Sequence, residues 1–193
     1  MKNPSKKTGI ALAAVVTAGV AIGAMSVTAA SGDSATAAAR RANARYHDIA
    51  TATHDGYGLL KDANGIECID MPGMGAMGVH YVKGAIVGDG VVDALTPEAL
   101  VYAPEDGHLR LAALEYVVFQ ADWDKSHGAP PSLFGHTFSL TASPNRYGLP
   151  PFYALHAWLY KKNPAGTFAP WNPKVSCAPE DGHGDMQGMP GMG

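Results

Sequence analysis

Possible metal ligands recur at every third position from Met71 to His80: Met71, Met74, Met77 and His80 stand within the stretch CIDMPGMGAMGVHYV, residues 68–82. The last residues, HGDMQGMPGMG, repeat the arrangement in mirror order, His183 being followed by Met186, Met189 and Met192, and the pentapeptide MPGMG stands in both runs. Of eight methionines, Met1 is the initiator and Met25 falls in a leader segment; the other six all lie in these two runs. Methionine used as core filler is scattered among Leu and Val positions, whereas here it is set in Gly and Pro. A thioether is a soft, neutral donor that prefers Cu(I), and imidazole serves either oxidation state of copper, so the pattern predicts copper over zinc. Thioethers need no deprotonation and form no disulfides, which suits an oxidising compartment. Spacing of three in Gly/Pro-rich chain lets several sulfurs turn toward one ion. The competing reading is that such tracts are flexible, low-complexity chain.

A second constellation is His80, Glu115 and His156. On a strand over 108–119, Leu109, Leu111, Ala113, Glu115, Val117 and Phe119 share one face; on a strand over 152–160, FYALHAWLY, so do Phe152, Ala154, His156, Trp158 and Tyr160. A carboxylate and an imidazole thus interrupt apolar rows, and burying either unpaired is costly. Two imidazoles and a carboxylate from three strand segments could hold a divalent metal with open positions, as in non-haem iron or hydrolytic zinc sites. Without metal they could form a Glu–His general acid/base pair. The structural alternative is Glu115 hydrogen-bonded by a Tyr or Trp and His156 satisfied in the core. His47 and His54, seven apart on a predicted helix, could share a metal or be simple capping residues. No nucleophile elbow, P-loop, GxGxxG, HExxH or CxxC occurs.

The segments that must position these residues follow a leader. Lys2, Lys6 and Lys7 precede an apolar run over 10–25 and small residues near Ala29, so residues 1–30 read as a secretory signal and the protein as secreted or periplasmic. A retained anchor is the other reading, although the run falls short of the ~20 residues a span needs and no second such run follows. Without the three leader lysines, 11 basic residues face 17 acidic ones, a net charge of −6, which argues against nucleic acid as partner. Two cysteines in an exported chain, Cys68 and Cys177, predict a disulfide; a pair of copper-ligating thiolates is the alternative.

In order, residues 31–37 read as a flexible linker and 38–53 as a helix with Ala38, Ala42, Tyr46, Ile49, Ala50 and Thr53 on its buried stripe. Residues 78–82 read as a short strand, 98–103 and 108–119 as a hairpin around a turn at 104–107, and the Pro-rich 121–151 as a lid or binding loop carrying His127 and His136. Residues 178–193 have no apolar side chain but methionine and read as a disordered tail. The fold class is α+β, a single domain over 38–177 with the N-terminal helix packed on an antiparallel sheet.

GAMGVHYV, LEYVV, PSLFG and HAWLYKKNPAGTFAPWNP followed by Cys177 resemble the motifs of a group of exported bacterial proteins without a known function, over most of residues 40–177. The resemblance implies one exported domain and no activity or ligand residues. Chemistry alone therefore gives the expectation: an exported copper-binding protein for copper sequestration, tolerance or delivery, with Met71, Met74, Met77, His80, His183, Met186, Met189 and Met192 as ligands, and a binding protein rather than an enzyme. The alternative is an extracytoplasmic metalloenzyme or small-molecule-binding protein with His80, Glu115 and His156 under the 121–151 loop.

Overall fold

The computed structural model describes residues 32–177. The expected leader, and the tail with His183, Met186, Met189 and Met192, lie outside the described residues. Helix α1 spans Gly32–Asn43, a 3-10 turn follows at Ala44–His47, and α2 spans Ile49–His54. The helical region thus starts earlier than expected, through the segment read as a linker. Alanines at 35, 37, 38 and 39 favour helix there, and Asp33 complements the positive end of the dipole. It is also broken in the middle, because Asp48 acts as N-cap of α2, accepting from the Ala50 N–H and the Thr51 hydroxyl. The break changes the buried face: Ala39, Asn43, Tyr46 and Ala52 are buried, whereas Ala42, Ala50 and Thr53 are exposed.

The strands are β1 (Gly58–Leu59), β2 (Cys68–Met71), β3 (Gly75–Val82), β4 (Ala99–Glu105), β5 (His108–Phe119), β6 (Ser132–Leu133), β7 (His136–Thr137), β8 (Ser139–Thr141) and β9 (Phe152–Ala157). Short helices α3 (Gly84–Val87) and α4 (Gln120–Trp123) follow β3 and β5. One antiparallel sheet runs β1-β3-β4-β5-β9-β8, with β2 also pairing β3, while β6 and β7 form a separate ribbon. The 121–151 loop therefore carries more structure than its composition suggests, holding α4, β6, β7 and β8. Asp106 and Gly107 take φ of 51° and 74°, the left-handed pair that a two-residue Asp-Gly hairpin requires. Pairing continues through Pro104 to Glu105 and His108, taking in the first two residues of the expected four-residue turn.

One sheet face packs on the helices: Leu100, Tyr102, Leu114, Tyr116, Val118, Tyr153 and Leu155 meet Ala39, Tyr46 and Ala52. Three buried tyrosines place their hydroxyls on backbone carbonyls, Tyr57 on Pro97, Tyr102 on Tyr46 and Tyr116 on Ala94, at 2.7, 2.7 and 2.8 Å, so the polar tip of each large apolar body is satisfied. Cys68 and Cys177 form a disulfide, Cα–Cα 5.6 Å, tying β2 to the last described residue. Among the described residues no helix is long and apolar enough to cross a membrane.

Two bulges shape the other face. Pairing of β2 with β3 skips Met77, and pairing of β4 with β5 skips Ala112. The extra residue at Ala112 reverses the alternation beyond it. Leu111 consequently joins the helix-covered cluster, while Ala112 and Ala113 belong to a second cluster with Cys68, Val101 and Trp158. The apolar row expected around Glu115 is thus shorter than simple alternation gives and does not include Leu111.

Candidate metal centre

Glu115 of β5 is paired directly with His156 of β9 on one side and Ala99 of β4 on the other; His80 of β3 is paired with Val101 of β4. Residues directly opposite in an antiparallel sheet share a face, so β4 presents only Ala99 and Val101 beneath the histidines. Strands β3 and β9 are three strand spacings apart, about 14 Å in a flat sheet. Their imidazoles nonetheless meet, Nε2 to Nε2 at 3.4 Å. The sheet must curl for this, and the bulges at Met77 and Ala112 supply local bend and twist.

Glu115 lies between the two rings. Its Oε2 is 3.2 Å from His80 Nε2 and its Oε1 is 3.2 Å from His156 Nδ1. All three side chains are buried, and one ligand atom from each lies within 4.8 Å of the others. The hydrogen bond among these side chains joins the two Nε2 atoms, and the carboxylate meets both rings at ion-pair distance. His80 Nδ1 is buried with no hydrogen-bond partner among the described residues, which is unusual for a histidine kept only for packing.

Burial works to raise the Glu115 carboxyl, but the His156 and His80 rings outweigh it and hold the group down to about 2. Burial also lowers His156, to about 4, with Glu115 opposing that shift and His80 adding to it. At neutral pH the centre is therefore an anionic carboxylate between imidazoles, of which His156 is neutral, the protonation that ligation needs. Tyr147 is pushed up first by burial and then by the charge of Glu115.

Two cavities meet at this cluster. One, of about 220 Å³, is almost wholly apolar and is lined by Leu60, Val82, Val87, Val117, Phe119 and Leu149, with His80 and Glu115 among its polar members. The other, of about 290 Å³, is lined by Met77, His136, Thr137, Ser139, Thr141 and His156, again with Glu115. Tyr147 and Phe152, ring centroids 6.2 Å apart, border both. Tyr147 and Leu149 come from the 121–151 loop. Arg146 anchors that loop through a two-nitrogen contact to Asp62 Oδ2, at 3.2 and 2.8 Å.

The methionine run is a hairpin. Met71 ends β2 and Met74 sits in the turn, 41% and 48% exposed; Met77 is the bulged residue of β3 and faces the more polar cavity; His80 is in the buried centre. The run is thus divided among an exposed tip, a cavity wall and the buried cluster, because β geometry sets its side chains in different directions. Its glycines have backbone reasons: a Cβ at Gly75 would lie 2.1 Å from the Asn172 carbonyl oxygen and one at Gly78 2.5 Å from that of Tyr102, both residues having positive φ.

Elsewhere, His47 packs edge-on to Tyr160 and His54 contacts Asp55, on separate helical segments. His127 stacks on Trp123, and His136 lies 4.0 Å from the Phe168 ring. Tyr147, Leu149 and the buried Glu98 escape sequence reasoning. Glu98 carries a signal in hindsight, standing directly before the apolar run ALVYA; the loop residues carry none. Comparisons of the chain with family models, with curated proteins and with solved structures gave no match.

Proposed function

We propose that this protein is an extracytoplasmic metal-binding protein whose ion is held by His80, Glu115 and His156. A tetrahedral ion with bonds of ~2.0–2.1 Å separates its ligands by about 3.3 Å. The distances from His80 Nε2 to Glu115 Oε2 and to His156 Nε2, 3.2 and 3.4 Å, carry the reading, because two edges of such a polyhedron already stand at that length. Three protein ligands leave a coordination position open toward the cavities. Glu115 Oε1, 3.2 Å from His156 Nδ1, keeps the carboxylate against both rings.

We assign copper as the ion. Two imidazoles and a carboxylate suit several divalent metals; the thioether of Met77, lining the cavity that also contains His156, is what favours copper. In this reading exposed Met71 and Met74, with His183, Met186, Met189 and Met192 of the C-terminal run, capture Cu(I) and deliver it to the centre for sequestration or transfer. The disulfide supports it by rooting both runs near one point, Cys68 preceding Met71 by three residues and Cys177 preceding Met186 by nine.

Chelator-stripped protein titrated with Cu(I), Cu(II) and Zn(II) against competing chelators tests both levels. One ion per chain is expected at the centre, weakened tenfold or more in Glu115→Gln. Changing all six methionines of the two runs to Leu should weaken Cu(I) capture and leave Zn(II) binding unchanged. Full metal affinity in a His80→Ala, His156→Ala double variant would overturn the centre; full Cu(I) affinity in the Leu variant would overturn copper.

A further inference from the structure

We infer that the centre binds a small organic ligand with a compact apolar body and one oxygen-donor head group, of the size of a single-ring aromatic carboxylate. The body is argued from the cavity alone; the head group rests on the metal-binding reading above. An apolar void of ~150 Å³ accepts benzene, so the 220 Å³ chamber has room for a six-membered ring and two or three further heavy atoms. It stands beside the single His/Glu/His cluster found among the described residues.

The chamber's polar lining names the head group. Val82, Val87, Val117 and Phe119 give the body nothing but apolar contact, while the ionisable groups lining the same space are His80, Glu115 and Tyr147. A ligand filling the chamber therefore has one place for a polar end, at the cluster. Small-molecule sites commonly combine an apolar wall with a few convergent polar groups in this way. Glu115 alone is anionic and repels a carboxylate; a divalent ion beside it, Zn(II) or Cu(II), reverses the local charge and offers its open position to an oxygen donor. The second cavity, with the hydroxyls of Thr137, Ser139 and Thr141, supplies the wet side. Glu115 borders both spaces, so the organic ligand lies on the apolar side of the carboxylate and the polar cavity on the other.

The body and the head group predict different dependences. Fluorobenzene, which has no head group, should bind stripped and Zn(II)-loaded protein alike. For 4-fluorobenzoate, loading with Zn(II), a diamagnetic ion the same ligands accept, should raise affinity at least tenfold. Both are read by 19F NMR titration, with zinc content measured on the same samples. Val87→Phe, which fills the chamber from α3 and replaces no ligand residue, should weaken both probes tenfold or more and leave zinc content unchanged; Val117→Phe is the second such variant should the first fail to fold. Equal binding of fluorobenzene by wild type and a folded filled variant overturns the chamber as the site. Zinc at one per chain with no gain in 4-fluorobenzoate affinity overturns the head group while the metal reading stands. Absence of retained zinc overturns the zinc-dependent head group, and fluorobenzene still decides the chamber.

Discussion

Glu98 offers a measurement in which burial and charge are separable. It stands immediately before β4, is 2% exposed, and its Oε2 accepts from the Val117 N–H at 2.9 Å. Burial pushes the carboxyl up to about 8, against the lowering effect of that hydrogen bond, with the charges of Asp89 and Asp93 adding to the rise. A folded-state value above the unfolded one, 4.5, means the folded protein holds the proton more tightly. Its contribution is complete below about pH 4.5 and is lost as pH rises through about 8. At ~1.36 kcal/mol per pKa unit, ionisation costs on the order of 3–5 kcal/mol of stability across that window. Glu98→Gln removes the titration and keeps the acceptor for Val117. Wild type and variant should therefore match near pH 5 and diverge steadily to pH 8–9, where the variant is the more stable. At ~2–4 °C per kcal/mol for a chain of this size, the gap in Tm is on the order of 10 °C. Thermal and urea unfolding with the disulfide intact, at unit steps of pH, give the difference curve. His156, lowered to about 4, costs stability as pH falls below its unfolded value, and it cancels because both proteins contain it. A difference flat from pH 5 to 9, or a variant less stable at pH 9, would refute the argument by showing an ionised, well-paired Glu98.

The remaining predictions concern the hairpin and the loop over the site. Gly75→Ala should cost ~2–5 kcal/mol in urea unfolding, from positive φ and from contact with the Asn172 carbonyl. Gly73→Ala has positive φ but open space around it and should cost only ~1–2 kcal/mol; equal costs would dismiss the close approach of the two backbones. Arg146→Ala leaves the Asp62 side chain, 1% exposed, without its cation, and should destabilise by roughly 1–3 kcal/mol. It should also speed hydrogen exchange at Tyr147 and Leu149; unchanged exchange there would mean that the Asp62 contact does not hold the loop.

What the sequence made legible was periodicity and its interruptions. The mixed helix and antiparallel sheet, the long hairpin, the strand beginning at Phe152 and the cysteine pair all follow from alternation, turn chemistry and cysteine count. So does the anomaly of Glu115 and His156 in apolar rows, which marks two of the three residues the fold brings together. The hidden features change geometry without changing pattern. A bulge inserts one residue into an otherwise regular run, so nothing at Ala112 announces that Leu111 faces the helices. The helix break at 44–48 depends on a capping bond of Asp48, and the salt bridge of Asp62 with Arg146 spans 84 residues, beyond any local pattern.

The glycines and methionines of the run at 71–80 have separate explanations. The backbone requires glycine at 75 and 78, where no Cβ fits, so the triplet spacing belongs partly to the hairpin and its bulge rather than to ion geometry. That weakens spacing as a sign of metal binding and leaves residue identity to carry it. At Met71 and Met74, 41% and 48% exposed, packing places little demand on the side chain, and a polar residue would serve solubility better. Met77 lies against a cavity with hydroxyls and a buried histidine, where an aliphatic side chain would fill space equally well. Neither the turn nor the core needs sulfur at these positions, and soft-donor chemistry does. The fold therefore puts one thioether in the cavity lined by Glu115 and His156 and two at the surface, the placement that the proposed capture and retention of copper would use.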